Sequence, residues 1–207
     1  MNEIGIKAGA IVLAAGMSTR MGRLKMLLPF GDRPMLARVI ESLRDSGAAS
    51  PILVVTGHAA QEITAVVVEY SDVLCVHNRG YADGGMLSSV KTGVLALPRP
   101  CEAFFLVLGD QPMVNARTLN LLRAAWHSEV APIVTPSFQG KRGHPVLIAC
   151  RFTDEILGLG AADTMKTFMR RHEAATTIVD VDDPATIQDI DTPNDYETAL
   201  MKWRKRC

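Results

Sequence analysis

The chain has 207 residues, 48% of them hydrophobic, and its 22 Lys and Arg residues balance its 22 Asp and Glu residues. This length is enough to bury a substantial core, and we expect residues 1–207 to form a single domain. A net charge of zero provides no positive field for a nucleic acid or an acidic membrane surface, so both classes of partner are excluded.

Apolar runs rich in β-branched residues alternate with segments whose apolar residues recur three and four positions apart. The apolar runs predict strands at Ala10–Ala14, Ile52–Thr56, Asp72–His77, Phe104–Leu108, Pro132–Thr135 and Thr176–Val179. The intervening segments predict helices at Pro34–Ser46, Ala60–Tyr70, Met86–Leu97 and Ala116–Ser128. Such alternation is typical of an α/β fold with a mostly parallel sheet and helices on both faces.

Two later segments depart from this alternation. The turn-rich stretch Gln139-Gly-Lys-Arg-Gly143 separates two extended pieces, which predicts a hairpin laid over the sheet. Near the C-terminus, Asp189-Ile-Asp-Thr-Pro-Asn-Asp195 leads into a predicted helix. Either Asp191 or Thr192 can cap that helix, and Pro193 suits its first turn.

The four cysteines are widely spaced, without a C-x-x-C pair or a nearby histidine cluster, which argues against a zinc site and a disulfide framework. Cys75 and Cys150 lie in apolar runs and are expected in the core, whereas Cys101 and Cys207 are assigned no role. The N-terminus lacks a signal-peptide pattern, and no apolar run approaches the roughly 20 residues of a membrane helix. We therefore expect a soluble, cytoplasmic protein.

The most informative segment follows the first predicted strand and combines Gly16, Ser18 and Gly22 with two cations, Arg20 and Lys25. Small residues let the backbone approach a ligand closely, their N–H groups can point at an anion, and Arg20 can bind two phosphate oxygens at once. The spacing matches neither the G-x-x-x-x-G-K-[ST] nor the G-x-G-x-x-G pattern, which disfavours a P-loop hydrolase and a dinucleotide dehydrogenase. The segment predicts a triphosphate site, and an ordinary strand–helix connection is the alternative.

Further polar residues follow the later strands, whose carboxyl ends meet at one edge of an open parallel sheet. Asp110 directly follows the most apolar strand, where it can hold Mg²⁺ or hydrogen-bond its own turn. Asp191 is its natural partner carboxylate, with helix capping as the alternative. Gly84 and Ser88 stand at the start of a predicted helix, where free N–H groups attract anions and where Ser88 can instead be a plain cap.

Taken in order, these segments resemble the MobA-like nucleotidyltransferases, and within them the molybdenum cofactor cytidylyltransferase branch. The motifs that carry the resemblance span nearly the whole chain: Leu13-Ala-Ala-Gly-Met-Ser-Thr-Arg-Met-Gly22, Lys25, Leu28-Pro29, His77-Asn-Arg-Gly-Tyr-Ala-Asp-Gly-Gly85, Ser88-Ser-Val-Lys91, Gly109-Asp-Gln-Pro112, Arg142-Gly-His-Pro-Val146 and Asp189–Asp195. The resemblance implies a Rossmann-like three-layer α/β/α sandwich of the nucleotide-diphospho-sugar transferase type. It also implies Mg²⁺-dependent transfer of a nucleotidyl group from an NTP to a phosphate- or hydroxyl-bearing acceptor, with release of pyrophosphate.

The resemblance also implies a role for each matching residue. The implied nucleotide-binding residues are Leu13, Ala14, Ala15, Gly16, Ser18, Arg20, Met21, Gly22, Lys25, Asn78, Gly84 and Ser88. Lys25, Arg20 and Asp110 are implied to be catalytic, and Asp110 and Asp191 to bind the metal ion. The implied acceptor-binding residues are Gly143, His144 and Pro145, and because Pro145 restricts His144 to extended backbone, we expect the imidazole to point outward.

The choice of nucleotide follows from one difference within the family, and the acceptor follows from the branch that the chain resembles. Guanylyltransferases usually carry Leu-Ala-Gly-Gly where this chain has Leu13-Ala-Ala-Gly16, and the methyl group of Ala15 would crowd a larger base. The resemblance therefore implies transfer of CMP from CTP to molybdopterin, with a molybdenum hydroxylase as the possible recipient of the product. Two alternatives stay open: a nucleotidyltransferase for sugar or alditol phosphates, and a non-catalytic nucleotide-binding module that delivers the cofactor.

Overall fold

The structure is a computed structural model, and it describes residues 7–205. Residues 1–6, Arg206 and Cys207 lie outside the described residues. Within the described range the strands are β1 (Ala8–Leu13), β2 (Pro29–Phe30), β3 (Arg33–Pro34), β4 (Ile52–Thr56), β5 (Val73–His77), β6 (Ala103–Leu108), β7 (Ile133–Phe138), β8 (Lys141–Arg142), β9 (Val146–Ala149) and β10 (Thr176–Asp180). The helices are α1 (Met35–Ser46), α2 (Ala60–Val67), α3 (Gly85–Ala96), α4 (Ala116–Ala125), α5 (Thr153–Gly158), α6 (Met165–Arg171) and α7 (Pro193–Arg204).

The strands of the main sheet follow the order β10-β7-β9-β6-β1-β4-β5. Strand β1 pairs in parallel with β4 and β6, β4 pairs in parallel with β5, and β7 pairs in parallel with β10. Strand β9 runs antiparallel to both of its neighbours, and the short β8 pairs antiparallel with β7. The predicted α/β class with a mostly parallel sheet is therefore confirmed.

Helices cover both faces of this sheet, and the central strands divide their side chains between two cores. In β6, Phe105 packs in the core that contains residues of α1, α2 and α4, whereas Phe104 and Leu106 pack in the core that contains residues of α3, α5 and α6. Strands β1 and β6 are buried along their whole length, as expected for central strands of a sheet covered on both sides. This is the predicted three-layer α/β/α arrangement.

Local sequence explains where the elements begin and end. Helix α1 buries Leu36, Val39, Ile40 and Leu43 on one face, and it ends at Gly47, whose φ of 58° is a conformation that glycine adopts without steric cost. All the strands and helices expected from the apolar pattern are present, with boundaries shifted by a few residues. Within residues 7–205, no helix combines the length and the apolar character needed to cross a bilayer.

Two expectations about the sheet are wrong. The turn at Gln139 and Gly140 does form a hairpin, but the extended piece that follows, β9, enters the sheet between β6 and β7 instead of lying over it. Cys75 is exposed, as is its neighbour Leu74. Both lie on β5, which is an edge strand and is only partly covered by the helices that flank the sheet. Cys150 is half-buried.

Candidate active site

The loop that leaves β1 folds back on itself before Lys25. The backbone N–H groups of Met21 and Gly22 donate hydrogen bonds to the carbonyl oxygen of Ser18, at 3.0 and 3.2 Å. Ser18 and Gly22 have φ values of 53° and 71°, so both residues lie in the left-handed region. The hydroxyl of Ser18 also accepts a hydrogen bond from the Lys25 backbone N–H at 3.2 Å. These contacts set the position from which the Lys25 side chain leaves the loop.

Lys25 is the centre of a charged cluster. Its Nζ donates hydrogen bonds to Asp110 Oδ2 at 2.5 Å and to Asp191 Oδ1 at 2.8 Å. The side chains of Lys25 and Asp110 are only 12% and 14% exposed, whereas Arg20, whose Nη2 lies 2.8 Å from Asp191 Oδ2, is 71% exposed. The fold thus brings together four charged residues from three distant segments of the chain.

Burial and charge act against each other on these groups. Burial lowers the pKa of Lys25, but Asp110 and Asp191 outweigh that effect and leave the pKa of the ammonium group above its usual value. Burial raises the pKa of Asp110 by more than the neighbouring Lys25 lowers it. Burial also raises the pKa of Asp191, but the hydrogen bond and charge of Lys25, together with Arg20, bring it below its usual value. The cluster therefore contains one ammonium group shared by two carboxylates in unequal environments.

The start of α7 shows what the Asp191 side chain does. The cap of this helix is Thr192, whose Oγ1 accepts a hydrogen bond from the Asp195 N–H at 3.2 Å. Asp195 returns the contact, because its Oδ2 accepts a hydrogen bond from the Thr192 N–H at 2.8 Å. Since Thr192 supplies the cap, the carboxylate of Asp191 is available to Lys25 and Arg20.

The cluster borders a cleft of about 470 Å³ at the carboxyl ends of β1 and β6. Its lining combines charged and apolar side chains. The lining residues are Leu13, Ala15, Gly16, Met17, Arg20, Lys25, Met26, Tyr81, Ala82, Gly85, Met86, Ser89, Leu108, Asp110, Asp189 and Asp191. A position at the carboxyl ends of parallel strands is where open α/β sheets bind ligands.

The predicted residues of the first motif divide between the cleft and the core. Leu13, Ala15 and Gly16 line the cleft. Ala14 and Met21 do not, because they are 3% and 4% exposed and pack in hydrophobic cores. Their side chains pack in the hydrophobic cores and so hold the backbone of the loop in place.

Asn78, Gly84 and Ser88 hold together the junction between β5 and α3. Asn78 is buried, and its Nδ2 donates hydrogen bonds to the hydroxyls of Ser88 and Ser89 at 2.8 and 3.0 Å. Gly84 lies against Ser88, so that a Cβ atom on Gly84 would be 2.4 Å from the Ser88 Cβ. No side chain caps the start of α3, so the alternative that Ser88 is a helix cap is wrong. Of this group of serines, Ser89 faces the cleft.

The three predicted acceptor residues pack into the fold near the cleft. A Cβ atom on Gly143 would lie 2.1 Å from the carbonyl oxygen of Thr186, so no side chain fits there, and Pro145 is buried. The expectation that His144 points outward is wrong. Its Nδ1 lies 3.5 Å from the carbonyl oxygen of Leu106, and burial lowers the pKa of its imidazole. The reason is that β9 joins the sheet directly after Pro145 and so carries His144 against β6.

Sequence reasoning missed three residues of this region. Tyr81 and Asp189 line the cleft, and buried Gln111 donates a hydrogen bond from Nε2 to Asp189 Oδ1 at 2.9 Å. Asp189 stands two positions before Asp191, and alternate residues of an extended segment share a side, so this spacing could have identified it. Tyr81 lies in a loop, where no periodic pattern indicates the direction of a side chain.

A family model for the MobA-like NTP transferase domain matches residues 10–176. The chain belongs to this family. As a MobA-like NTP transferase it is a nucleotidyltransferase. It is 31% identical over 193 residues to the molybdenum cofactor cytidylyltransferase of Escherichia coli strain K12, an alignment that covers 93% of this chain and 95% of the relative.

Solved structures share the fold of this MobA-like NTP transferase. A nucleotidyl transferase from Methanothermobacter superimposes with a TM-score of 0.84 at 22% identity, covering 97% of this chain and 99% of that one. Rv0371c from Mycobacterium tuberculosis H37Rv, solved in complex with manganese, has a TM-score of 0.73 at 24% identity and covers 94% and 98% of the two chains. At these identities the likeness shows a common fold.

The residues of the cleft fit a divalent metal ion. Asp110 and Asp191 direct carboxylate oxygens at one cationic group, the Lys25 ammonium, so the site already stabilises a positive charge. Carboxylate oxygens suit Mg²⁺ and Mn²⁺, and Mg²⁺ usually takes one or two carboxylates together with phosphate oxygens and water. Within residues 7–205, no group of three or more His, Cys, Asp or Glu side chains is arranged to hold a metal by itself.

Proposed function

We propose that this protein transfers CMP from CTP to molybdopterin in a Mg²⁺-dependent reaction that yields molybdopterin cytosine dinucleotide and pyrophosphate. The observation that carries the proposal is the position of the Lys25 ammonium between Asp110 and Asp191, beside the glycine-rich loop after β1. The proposal includes one catalytic domain over residues 1–207 and a molybdenum hydroxylase as recipient of the product.

The shape of the cleft supports a nucleoside triphosphate as the ligand. A volume of about 470 Å³ is in the range of small-molecule sites, and a lining that combines charged and apolar side chains suits a nucleotide, which carries both phosphates and a base. Arg20 and Lys25 provide two cations within one loop, and the exposed Arg20 side chain is free to turn toward phosphate oxygens. These features favour a triphosphate-binding role for the loop after β1 over the role of an ordinary strand–helix connection.

Cytidine as the base is supported by the packing around Ala15. A Cβ atom on Gly57 would lie 2.8 Å from the Ala15 Cβ and 2.7 Å from the Tyr81 Cβ, so Ala15 and Tyr81 close on each other across Gly57. Both side chains also line the cleft, where they narrow the space for a base. A pyrimidine needs less room than a purine. The name of the E. coli relative, a cytidylyltransferase, agrees with this choice.

In the proposed reaction the terminal phosphate of molybdopterin attacks the α-phosphorus of CTP in line with the departing pyrophosphate. The attacking phosphate is already ionised near neutral pH, so the protein needs no general base. The protein contributes positioning and charge neutralisation, which are the main terms in such transfers. Lys25 and Arg20 neutralise the charge that builds on the pyrophosphate. Asp110 and Asp191 would hold the Mg²⁺ ion, which supplies Lewis acidity at the phosphate oxygens when bound.

The test is a pyrophosphate-release assay with CTP, GTP, ATP and UTP, each offered with molybdopterin and with sugar phosphates. We expect release with CTP and molybdopterin, and a loss of roughly 100-fold or more in the Asp110→Asn variant, the scale seen when a preorganised charge contact at a transition state is removed. Asp182→Asn is the matched control, because Asp182 is an exposed aspartate outside the cleft. Thermal unfolding of both variants checks that they are folded.

The other possible outcomes of this assay would each contradict the proposal. Release with a sugar phosphate but not with molybdopterin would identify a sugar-phosphate nucleotidyltransferase. Binding of NTP without pyrophosphate release from any acceptor would identify a nucleotide-binding delivery module. An Asp110→Asn variant with the wild-type rate would remove Asp110 from the active site.

A further inference from the structure

Two cysteines far apart in the chain meet where β6 begins and β9 ends. The antiparallel register places Ala103 opposite Ala149, and the Cys150 N–H continues the ladder with a hydrogen bond to the Glu102 carbonyl oxygen at 2.8 Å. Glu102 is thus the residue opposite Cys150, and Cys101 directly precedes it in the chain. The insertion of β9 into the sheet, which the sequence did not indicate, creates this proximity.

The two thiols lie on the same side of the sheet. Cys101 Sγ is 3.5 Å from the Cβ position of Gly9, next to Leu97, and both Leu97 and Cys150 pack against the core formed with α3, α5 and α6. The Cys101 Sγ lies 3.0 and 3.5 Å from the carbonyl oxygens of Ala103 and Lys7 as a hydrogen-bond donor, and it is close enough to the Cys150 thiol for each thiol to shift the pKa of the other. A contact of this kind is the arrangement from which a disulfide can form without a large backbone movement.

The two sulfur atoms differ in acidity. Hydrogen bonding with Cys150 lowers the pKa of Cys101, burial and the Glu102 carboxylate raise it, and backbone hydrogen bonds of Gly9 and Ala103 lower it, to about 7. The same contact raises the pKa of Cys150, as does burial. Cys101 is thus the nucleophile of the pair, since the thiolate is the reactive form.

A small oxidant can reach Cys101. The residue is half-buried and lines a surface hollow of about 310 Å³ at the amino-terminal ends of the strands, together with Lys7 and Arg99. This hollow lies at the opposite end of β6 from Asp110, so the thiols take no part in the proposed transfer reaction.

We propose that Cys101 and Cys150 form a peroxide-reactive pair that closes reversibly into a disulfide. The Cys101 thiolate attacks one oxygen of a hydroperoxide and the O–O bond breaks. That oxygen stays on sulfur as a sulfenic acid, while the other takes up a proton and leaves as water or alcohol. The Cys150 sulfur then attacks the sulfenic sulfur, the S–S bond forms and the S–O bond breaks. The departing hydroxide takes the Cys150 proton and leaves as water, so that two thiols are oxidised and one peroxide is reduced.

The test treats the full-length protein with hydrogen peroxide, alkylates the remaining thiols and maps all cysteines by mass spectrometry without reduction. We expect a linked peptide pair containing Cys101 and Cys150, which disappears after treatment with dithiothreitol. At about pH 7 the larger thiolate fraction of Cys101, reduced by its lower intrinsic nucleophilicity, gives a reaction roughly threefold faster than that of an ordinary thiol. Cys75 provides a reference thiol in the same sample, and because burial raises its pKa it should react more slowly than an ordinary thiol.

Two variants separate the attacking from the resolving sulfur. In Cys150→Ser the reaction should stop at a sulfenic acid on Cys101, which dimedone captures. In Cys101→Ser, Cys150 should remain fully alkylatable. Both variants should keep the wild-type rate of pyrophosphate release, so failure of this proposal is distinct from failure of the proposed function. Oxidation that accumulates at Cys75 while Cys101 and Cys150 stay alkylatable would overturn the proposal, as would a disulfide joining either of them to another cysteine.

Discussion

Replacing Lys25 by methionine tests the charged cluster directly. The change keeps most of the side-chain volume but removes the ammonium group that lies 2.5 Å from Asp110 and 2.8 Å from Asp191. Loss of one partner of a buried ion pair costs about 3–5 kcal/mol of unfolding free energy, because the remaining charge is left without compensation. Asp191 is 27% exposed and retains Arg20 as a partner, so we expect the lower value, about 3 kcal/mol near pH 8.

The pH dependence of this loss has a definite sign. Burial already raises the pKa of Asp110, and removal of Lys25 raises it further in the folded state. Between the ordinary value of 3.8 and the raised folded value, the folded protein binds more protons than the unfolded chain, so its stability falls as the pH rises. The deficit of Lys25→Met relative to wild type should therefore be largest at alkaline pH. It should shrink by up to about 1.4 kcal/mol for each pH unit between the folded pKa of Asp110 in the variant and that in the wild type.

Urea denaturation at several pH values measures this difference. Lys166→Met is the matched control, because it makes the same substitution at an exposed position of α6 and should change the free energy of unfolding by no more than about 0.5 kcal/mol. A loss below about 1 kcal/mol for Lys25→Met near pH 8 would refute the reasoning. A deficit that grows toward acidic pH would refute it as well. Such a result would mean that the loss of Lys25 leaves no buried carboxylate without a partner.

Two further predictions concern the support of the site. Gln111→Leu should lower the free energy of unfolding by about 1 kcal/mol, since it removes the hydrogen bond to Asp189. Gln111→Glu should lower it more at neutral pH, because it places two carboxylates together. Equal losses in urea denaturation would show that Gln111 does not hold Asp189 in place. Gly93→Ala should cost about 1–2 kcal/mol, because its Cβ atom would lie 2.4 Å from Ile11 Cγ2. Gly158→Ala, which meets nothing within 4 Å, is the control and should be neutral or stabilising by thermal unfolding.

The elements of the fold could be predicted because their signals are local. The buried run of β6 and the apolar face of α1 follow directly from residues a few positions apart. The glycine-rich loop and Asp110 could likewise be located, because both directly follow recognisable strands, and ligands bind at that edge of such a sheet. Helices α5 and α6 were missed, because six- and seven-residue helices offer too few turns for a periodic pattern.

Only the tertiary structure decided how these pieces meet, since strand order and exposure depend on contacts between distant residues. The antiparallel entry of β9 between β6 and β7 turns His144 inward and brings Cys101 to Cys150. The position of β5 at the edge leaves Cys75 exposed although its sequence is apolar. No local sequence pattern predicts that Lys25 lies between two carboxylates. That contact forms only when the carboxyl end of β6 and the start of α7 pack against the loop after β1.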